Sequence, residues 1–212
     1  MNLFEHVVNL ILPVRCALCS TYLEAEIGLC ANCQARLGTP KNEGNIVHLG
    51  AYHGHLERAV RALKFGKNRN VAVPLGKRLA QGIQEADWKV DAIVPIPLFV
   101  LRQQTRGYNQ ARELAKSLAT ALDVPKLEVL KRVKSTKRQA RLGKTERSSN
   151  VREAFEVLAN VRGLELVLVD DVYTSGATAT ECALALIEAG AKRVRIAVIS
   201  RVLESDSKSK SR

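Results

Sequence analysis

Apolar and polar positions along the chain follow two different periods, and the alternation between them separates predicted helices from predicted strands. Four segments carry apolar residues at helical spacing and predict helices, at residues 55–65, 73–86, 109–122 and 177–189. Four short apolar runs predict strands, at residues 46–52, 92–96, 165–169 and 194–199. Strands that alternate with helices predict an α/β fold, in which a mostly parallel sheet is covered by helices on both faces.

The two ends of the chain depart from this pattern. Residues 3–12 have apolar residues at helical spacing, but polar residues interrupt the run, it ends at Pro13, and no basic start or small-residue cleavage site flanks it. This predicts a short amphipathic helix and argues against a signal peptide or a membrane span, so we expect a cytoplasmic protein. Its predicted parts are an N-terminal region (1–40), a polar linker (40–45), a main domain (46–203) and a disordered tail (204–212).

Four of the five cysteines form two closely spaced pairs in the N-terminal region, at Cys16, Cys19, Cys30 and Cys33. Two residues separate the members of each pair, which is the spacing of knuckles that close a tetrahedral four-thiolate Zn²⁺ site. Such a site has no open position for water, so we expect the zinc to be structural. Cys182 lies in an apolar helical pattern and is expected to be buried. The three histidines within residues 48–55 form no metal or nucleophilic set and are expected to be structural.

The charge of the chain is strongly basic and unevenly distributed. Thirty-three Lys and Arg residues stand against 21 Asp and Glu residues, which leaves a net charge of +12. Residues 131–152 hold nine basic residues, one acid and few large apolar residues. We expect a solvated loop there, and a loop of this length in a compact domain is usually functional. Charge alone does not choose among nucleic acid, phosphate-rich ligands and an acidic surface as the partner.

The stretch VLVDDVYTSGAT, at residues 167–178, combines a buried strand, two acids and a small, hydroxyl-rich turn before a helix. In an open parallel sheet, ligands bind beyond the carboxyl ends of the strands. Small residues at a helix N-terminus let backbone N–H groups approach a phosphate. Asp170 and Asp171 would then hold sugar hydroxyls or a hydrated Mg²⁺. A P-loop is excluded, because no Gly-Lys-Ser/Thr follows.

This stretch resembles the loop of type I phosphoribosyltransferases that binds 5-phosphoribosyl-1-pyrophosphate (PRPP). The segments RALKFGK, VPIPL and RQQTRGYNQA, which begin at residues 61, 94 and 102, and the four-cysteine N-terminus resemble the ComF family of competence proteins and their GntX-like relatives. The resemblance covers residues 16–201. It implies a type I phosphoribosyltransferase fold with a small N-terminal zinc-binding subdomain. The family usually has Thr-Thr-Gly where this chain has Thr174, Ser175 and Gly176, a change that keeps the hydroxyl.

The resemblance also implies which residues bind PRPP. Asp170 and Asp171 would bind the ribose hydroxyls and act in catalysis, while Arg102 and Arg106 would contact the diphosphate, unless they are ordinary surface charges. Lys64 could reach a phosphate or only complement the C-terminus of its helix. The full expected PRPP-binding set is Lys64, Pro95, Ile96, Arg102, Arg106, Asp170, Asp171, Val172, Tyr173, Thr174, Ser175, Gly176, Ala177 and Thr178.

Two functions fit this reading. The first is a Mg²⁺-dependent phosphoribosyltransferase that transfers phosphoribose to an unidentified nucleobase or amine acceptor, with the basic loop closing over the site. The second is a protein that binds PRPP and Mg²⁺ and handles imported single-stranded DNA in natural transformation, with DNA-uptake or recombination proteins as possible partners. The residues expected to contact nucleic acid are Arg138, Arg141, Lys144 and Arg147. Both functions can hold for one protein.

Overall fold

The computed structural model describes residues 14–23, 27–66, 69–98, 107–133 and 154–202. Within them lie five α-helices: α1 (Ala31–Ala35), α2 (Gly54–Phe65), α3 (Ala72–Glu85), α4 (Gln110–Leu122) and α5 (Ala177–Glu188). The predicted helix at residues 3–12, the predicted tail, Arg102, Arg106 and the predicted nucleic-acid residues Arg138, Arg141, Lys144 and Arg147 lie outside the described residues. Each of the four helices predicted in the main domain is confirmed, with ends within two residues of the expected ones.

A five-stranded sheet forms the centre of the molecule. Its strands, in spatial order, are β1 (Lys41–Glu43), β2 (Ile46–His48), β7 (Arg193–Arg201), β6 (Glu165–Tyr173) and β3 (Ala92–Pro95). The last four are parallel to their neighbours, and β1 is antiparallel to β2 at the edge. This confirms the predicted mostly parallel sheet. A separate antiparallel pair, formed by β4 (Leu130–Arg132) and β5 (Phe155–Val157), was not predicted, and β4 includes the first two basic residues of the segment expected to be a loop.

Alternate residues of the central strands serve two apolar clusters on opposite faces of the sheet. Val167 and Val169 of β6 pack in one cluster with α2, α3 and α4. Leu166 and Leu168 of the same strand pack in the other cluster with α5 and the β4–β5 pair. Because side chains alternate between faces along a strand, this division also determines the face on which each residue at the end of β6 lies.

The segment predicted as a polar linker at residues 40–45 instead contains β1. Its three residues are exposed, as expected for a short edge strand with polar side chains, and Gly44 (φ 65°) forms the turn into β2. The carboxylate of Glu43 contacts both Nε2 of buried His48, at 3.0 Å, and the guanidinium of Arg201. These contacts tie β1 to the sheet and give His48 the structural role predicted for it.

The N-terminal cysteine region shares its core with the main domain. Cys16, Leu29, Cys33 and Leu37 are buried in the same cluster as residues of α2 and α3. Gly28 (φ 80°) lies so close to the backbone of Asn70 that a side chain at this position would collide with it. The described helices include none that is long and apolar enough to cross a membrane.

Candidate functional site

The two acids of the VLVDD stretch lie near the carboxyl end of β6, and they face opposite sides of the sheet. The strand continues through both acids to Tyr173, because its pairing with β7 extends to Arg201. Asp170 lines a cleft on the α5 side, and its carboxylate accepts a hydrogen bond of 2.7 Å from the N–H of Asp171. Asp171 points to the α2 side, where it is only 7% exposed. The two acids therefore have different surroundings. This differs from the expectation that both of them bind the ribose hydroxyls at one site.

The cleft beside Asp170 is formed mainly by the turn that leads into α5. Its lining residues are Asp170, Val172, Tyr173, Thr174, Ser175, Gly176, Ala177, Thr178, Ala179 and Val198. Gly176 has φ 74° and is the N-cap of α5, and a Cβ added at this position would collide with the ring hydroxyl of Tyr173. The cleft thus brings a carboxylate together with the N-terminus of a twelve-residue helix, whose backbone N–H groups favour an anion.

Lys64 reaches the other acid from the last turn of α2. Its Nζ lies 2.8 Å from Oδ1 of Asp171, and both side chains are largely buried. Lys64 was expected either to reach a phosphate or to complement the C-terminus of its helix. The structure shows a third arrangement, an ion pair with one of the two acids. A buried pair of this kind restricts both partners, because breaking it would leave one charge without compensation.

A second turn, at the carboxyl end of β3, is positioned by Asn109. Its Oδ1 accepts a 3.0 Å bond from the N–H of Ala111, which caps the start of α4, and its Nδ2 donates to the carbonyl of Ile96 at 3.1 Å. The N–H of Ile96 donates to the carbonyl of Val169, and the Ile96 side chain is buried. Pro95 and Ile96 therefore hold the turn against β6, beside the acid pair.

Tyr108 connects this turn to α2. Its hydroxyl donates to the carbonyl of Leu63 and lies 3.5 Å from that of Gly66, so it binds the C-terminal end of α2. The guanidinium of Arg69 covers the Tyr108 ring at 4.6 Å from its centroid. Sequence reasoning missed this role. The interaction joins two of the segments used for the family resemblance, RALKFGK and RQQTRGYNQA, and its only sequence signal is an aromatic residue in an otherwise polar loop.

The four N-terminal cysteines form one cluster, as their spacing predicts. Their Sγ atoms all lie within 4.8 Å of one another, and those of Cys19 and Cys30 are 3.6 Å apart. A hydrogen bond with Thr21 is the main cause that lowers the pKa of Cys19 to about 6, whereas burial raises the pKa of Cys33. Four converging thiol groups with no fifth ligand among the described residues fit a structural zinc site.

Two other predictions for single residues can be compared with the structure. Cys182 is fully buried in the apolar cluster beneath α5, as predicted, and burial raises its pKa. His55 lies near the thiol cluster but is not part of it. Its Nε2 is 3.2 Å from the carbonyl of Cys33, so the imidazole links the start of α2 to the cysteine region. This interaction supports the structural role expected for His55.

Comparison with known proteins agrees with the fold and with these motifs. A family model described as the phosphoribosyl transferase domain matches residues 66–211. The chain is 30% identical over 205 residues to DNA utilization protein YhgH of Salmonella typhi, covering 89% of this chain and 90% of that protein. It is 30% identical over 195 residues to competence protein F of Haemophilus influenzae, covering 88% and 84%.

Two solved structures are also partly similar to this chain. Glutamine PRPP amidotransferase from Bacillus subtilis has a TM-score of 0.47 at 22% identity, covering 66% of this chain and 30% of that one. Adenine phosphoribosyltransferase from Leishmania tarentolae has a TM-score of 0.47 at 13% identity, covering 79% and 98%. From the family match and the two sequence relatives, the chain belongs to the phosphoribosyl transferase domain family, as a ComF-type member with a four-cysteine N-terminal region.

Proposed function

We propose that this chain binds PRPP with Mg²⁺ at the carboxyl edge of its sheet, and that it acts in the cytoplasm on single-stranded DNA taken up in natural transformation. The observation that supports ligand binding most strongly is the cleft in which Asp170 faces the N-terminal turn of α5. A carboxylate beside a phosphate-type turn suits a ligand that carries hydroxyls and a phosphate together. Ribose 5-phosphate is the part of PRPP that has both.

In this proposal, the backbone N–H groups of residues 174–178 hold the 5′-phosphate, and Asp170 binds the ribose hydroxyls. Mg²⁺, which prefers carboxylate and phosphate oxygens, would neutralise charge on the diphosphate. Arg102 and Arg106 would contact the diphosphate from the loop after β3, whose start is fixed by Asn109. Asp171 would act mainly by holding Lys64 at the same edge, where the ammonium group adds a positive charge for the diphosphate.

Replacing Gly176 by Ala is expected to impair ligand binding at the cleft. The left-handed backbone alone costs about 1–2 kcal/mol for a residue with a Cβ, and the new methyl group would also collide with Tyr173. Gly163→Ala is a matched control, because Gly163 has φ 76° but no atom within 4 Å of an added Cβ. Both variants should lose stability in thermal unfolding. Only Gly176→Ala should lose affinity for ribose 5-phosphate in calorimetry, and equal affinities would argue against this turn as the phosphate site.

DNA handling is supported by the charge of the chain and by its relatives. Two similar proteins are named a competence protein and a DNA utilization protein. The nine basic residues at positions 131–152 exceed what one phosphate and one diphosphate can use, so the surplus needs another anion. Whether the chain turns over PRPP is a separate question, and measuring pyrophosphate release with and without single-stranded DNA would answer it. Release that depends on a small acceptor and ignores DNA would favour the metabolic transferase.

Neutralising the basic loop is expected to separate these functions. A variant in which Arg138, Arg141 and Lys144 are changed to Gln should bind single-stranded DNA more weakly at every sequence. Its salt slope should become shallower by about 0.7 for each DNA phosphate that the variant no longer neutralises. PRPP binding should change less, because only a few positive charges can reach that ligand. Fluorescence anisotropy at several salt concentrations measures both the affinity and the slope.

A matched control makes the same change of charge at the edge of the sheet opposite to the Asp170 cleft. Lys89, Arg162 and Arg193 are exposed and lie near the starts of the parallel strands. Changing all three to Gln removes as much charge as the loop variant does, so it tests for a non-specific effect of net charge. If both triple variants bind DNA alike, or if the loop variant matches the parent in affinity and slope, the loop does not bind the nucleic acid.

A further inference from the structure

Helix α2 joins the cysteine region to the acid site, because each of its ends is bound to a residue of one of them. Near its start, Nε2 of His55 is 3.2 Å from the carbonyl of Cys33. In its last turn, Nζ of Lys64 is 2.8 Å from Oδ1 of Asp171. His55 and Lys64 are about 14 Å apart along the helix, from a rise of about 1.5 Å per residue. One helix thus connects two sites that do not touch each other.

The connection at the start of α2 fixes the His55 ring through both of its nitrogens. The Cys33 carbonyl can only accept a hydrogen bond, so Nε2 donates to it. Nδ1 lies 2.9 Å from the guanidinium of Arg58, which can only donate, so Nδ1 accepts. The ring is therefore held in one tautomer and one orientation. Cys33 contributes its thiol to the four-cysteine cluster and its carbonyl to His55, so a shift of this one residue acts on both.

The last turn of α2 is bound at the acid site by two contacts. Lys64 and Asp171 form a largely buried ion pair. The carbonyl of Leu63 accepts a hydrogen bond from the hydroxyl of Tyr108. Between the two ends, the buried face of the helix packs in the same apolar cluster as Cys33. Because backbone hydrogen bonds join each turn of a helix to the next, a change of position at His55 also changes the position of Lys64.

Zinc and a ligand with a diphosphate would both favour the chain in which α2 has this position. Zinc would hold Cys33 in place, and with it the carbonyl that binds His55. The diphosphate of PRPP would need the Lys64 ammonium group at the carboxyl edge of the sheet. Two ligands that favour the same conformation strengthen each other's binding, and the factor is the same in both directions. Such factors are typically about 5 to 150.

General destabilisation is a second route from the cysteine region to the site, and its effects differ. Cys16 and Cys33 also pack in one cluster with α3, so loss of the metal would loosen this whole side of the domain. Loosening of that kind would weaken the binding of every ligand at the carboxyl edge. The α2 connection acts through Lys64, which faces the diphosphate in the proposed function. It therefore distinguishes PRPP from ribose 5-phosphate, which lacks the diphosphate.

We propose that α2 couples the two sites, so that zinc at the four thiols and PRPP at the carboxyl edge raise each other's affinity, and that His55 is the positioning residue for this coupling. The coupling rests on the proposed binding of PRPP and adds a means of regulating it. A chain without zinc would hold PRPP weakly even when Asp170 and the turn before α5 are intact. The cysteine region would thus control ligand binding as well as stabilise the fold.

The test measures the zinc affinity of the full chain by competition with a chromogenic chelator, at constant Mg²⁺, without ligand and with saturating PRPP. In the parent, PRPP should raise the zinc affinity about fivefold or more, and ribose 5-phosphate should raise it less. His55→Ala keeps all four thiols, so it should still bind zinc, but PRPP should no longer change its zinc affinity. His55→Gln should restore the effect, because the Gln amide group can donate to the Cys33 carbonyl.

His53→Ala is the matched control and should behave as the parent does. His53 is exposed, and its side chain does not cap the start of α2. Thermal unfolding of each variant checks that the chain folds.

The coupling is wrong if calorimetry shows that PRPP binds the parent while the zinc affinity stays unchanged, and the proposed PRPP binding would then still stand. An equal effect of ribose 5-phosphate would show that Lys64 does not carry the coupling. His55→Ala with the full effect of PRPP would show that the connection runs through the packing against α3 instead. A parent chain that binds no PRPP would contradict the proposed function, and the coupling with it.

Discussion

Removal of zinc is expected to destabilise the cysteine region together with the α2–α3 side of the main domain. Cys16 and Cys33 are buried in the same apolar cluster as Leu75 and Leu79 of α3, and His55 links Cys33 to the start of α2. Because the thiolates converge only in the folded chain, the free energy of zinc binding contributes directly to folding. Without the metal, the four thiols would repel one another when ionised. The first forty residues also contain too few apolar side chains to keep this region folded without zinc.

Cys19→Ser provides the sharpest test, because Cys19 is exposed and its replacement removes a ligand without opening a cavity. The parent should contain about one zinc per chain, and the variant should lose the metal and melt at a lower temperature. Hydrogen exchange should then increase in α2 and α3 as well as in the cysteine region. Cys182→Ala is the control: it alters a buried thiol in the other cluster, so it should lower stability but keep the zinc. A parent that is folded, reduced and free of metal would contradict the assignment.

The parts of the fold that the sequence predicted well are those with a strong local signal. The apolar runs of β6 and β7 identify the central strands because both faces of a parallel sheet are buried. The start of α4 is signalled by Asn109, whose side chain can cap a helix, and the capping bond is present. The clustering of the four cysteines was predicted correctly because the short spacing within each pair is typical of metal ligands. Residues that bind one metal ion must lie close together in the folded chain, so this local pattern indicates a contact in three dimensions.

The features that were missed depend on interactions between distant residues. β1 has three exposed polar residues and no apolar period, and only its pairing with β2 makes it a strand. The pairing of β4 with β5 joins the start of the basic segment to residues that follow its end, a distant contact that local patterns do not report. The strand β6 was predicted to end at residue 169, where its run of apolar residues ends. Pairing with β7 continues past them, at an edge of the sheet where polar side chains can reach solvent.

That extension of β6 changes what can be expected of the acid pair. Consecutive residues of a strand face opposite sides, so once residues 170 and 171 are part of β6 they cannot both point into one cleft. The partner of Asp171 is Lys64, more than a hundred residues earlier in the chain, and no sequence pattern connects the two. Individual substitutions of the two acids should therefore have different effects.

Asp170→Asn is expected to weaken binding of PRPP and Mg²⁺ strongly and to leave the fold intact. Its carboxylate lines the cleft and is half-buried at the end of a well-paired strand, so the amide can replace it without disturbing the core. Removal of a charged hydrogen-bonding partner in a binding site typically costs 2–5 kcal/mol, or about 30-fold or more in affinity. Calorimetry with PRPP and Mg²⁺ measures the affinity, and thermal unfolding checks the fold. Affinity equal to that of the parent would remove Asp170 from the site.

Asp171→Asn is expected to affect stability as well as binding, because it leaves the Lys64 ammonium without its partner. The loss should be about 1–3 kcal/mol in the free energy of unfolding, and a second change, Lys64→Met, should recover part of it.

Lys64→Met should lower affinity for PRPP more than for ribose 5-phosphate, which lacks the diphosphate, while Asp170→Asn should lower both. The double variant Asp170→Asn, Asp171→Asn should bind neither ligand. If Asp171→Asn instead loses ligand binding at unchanged stability while Asp170→Asn binds normally, the two acids have the opposite roles, and the ligand lies on the α2 side of the sheet.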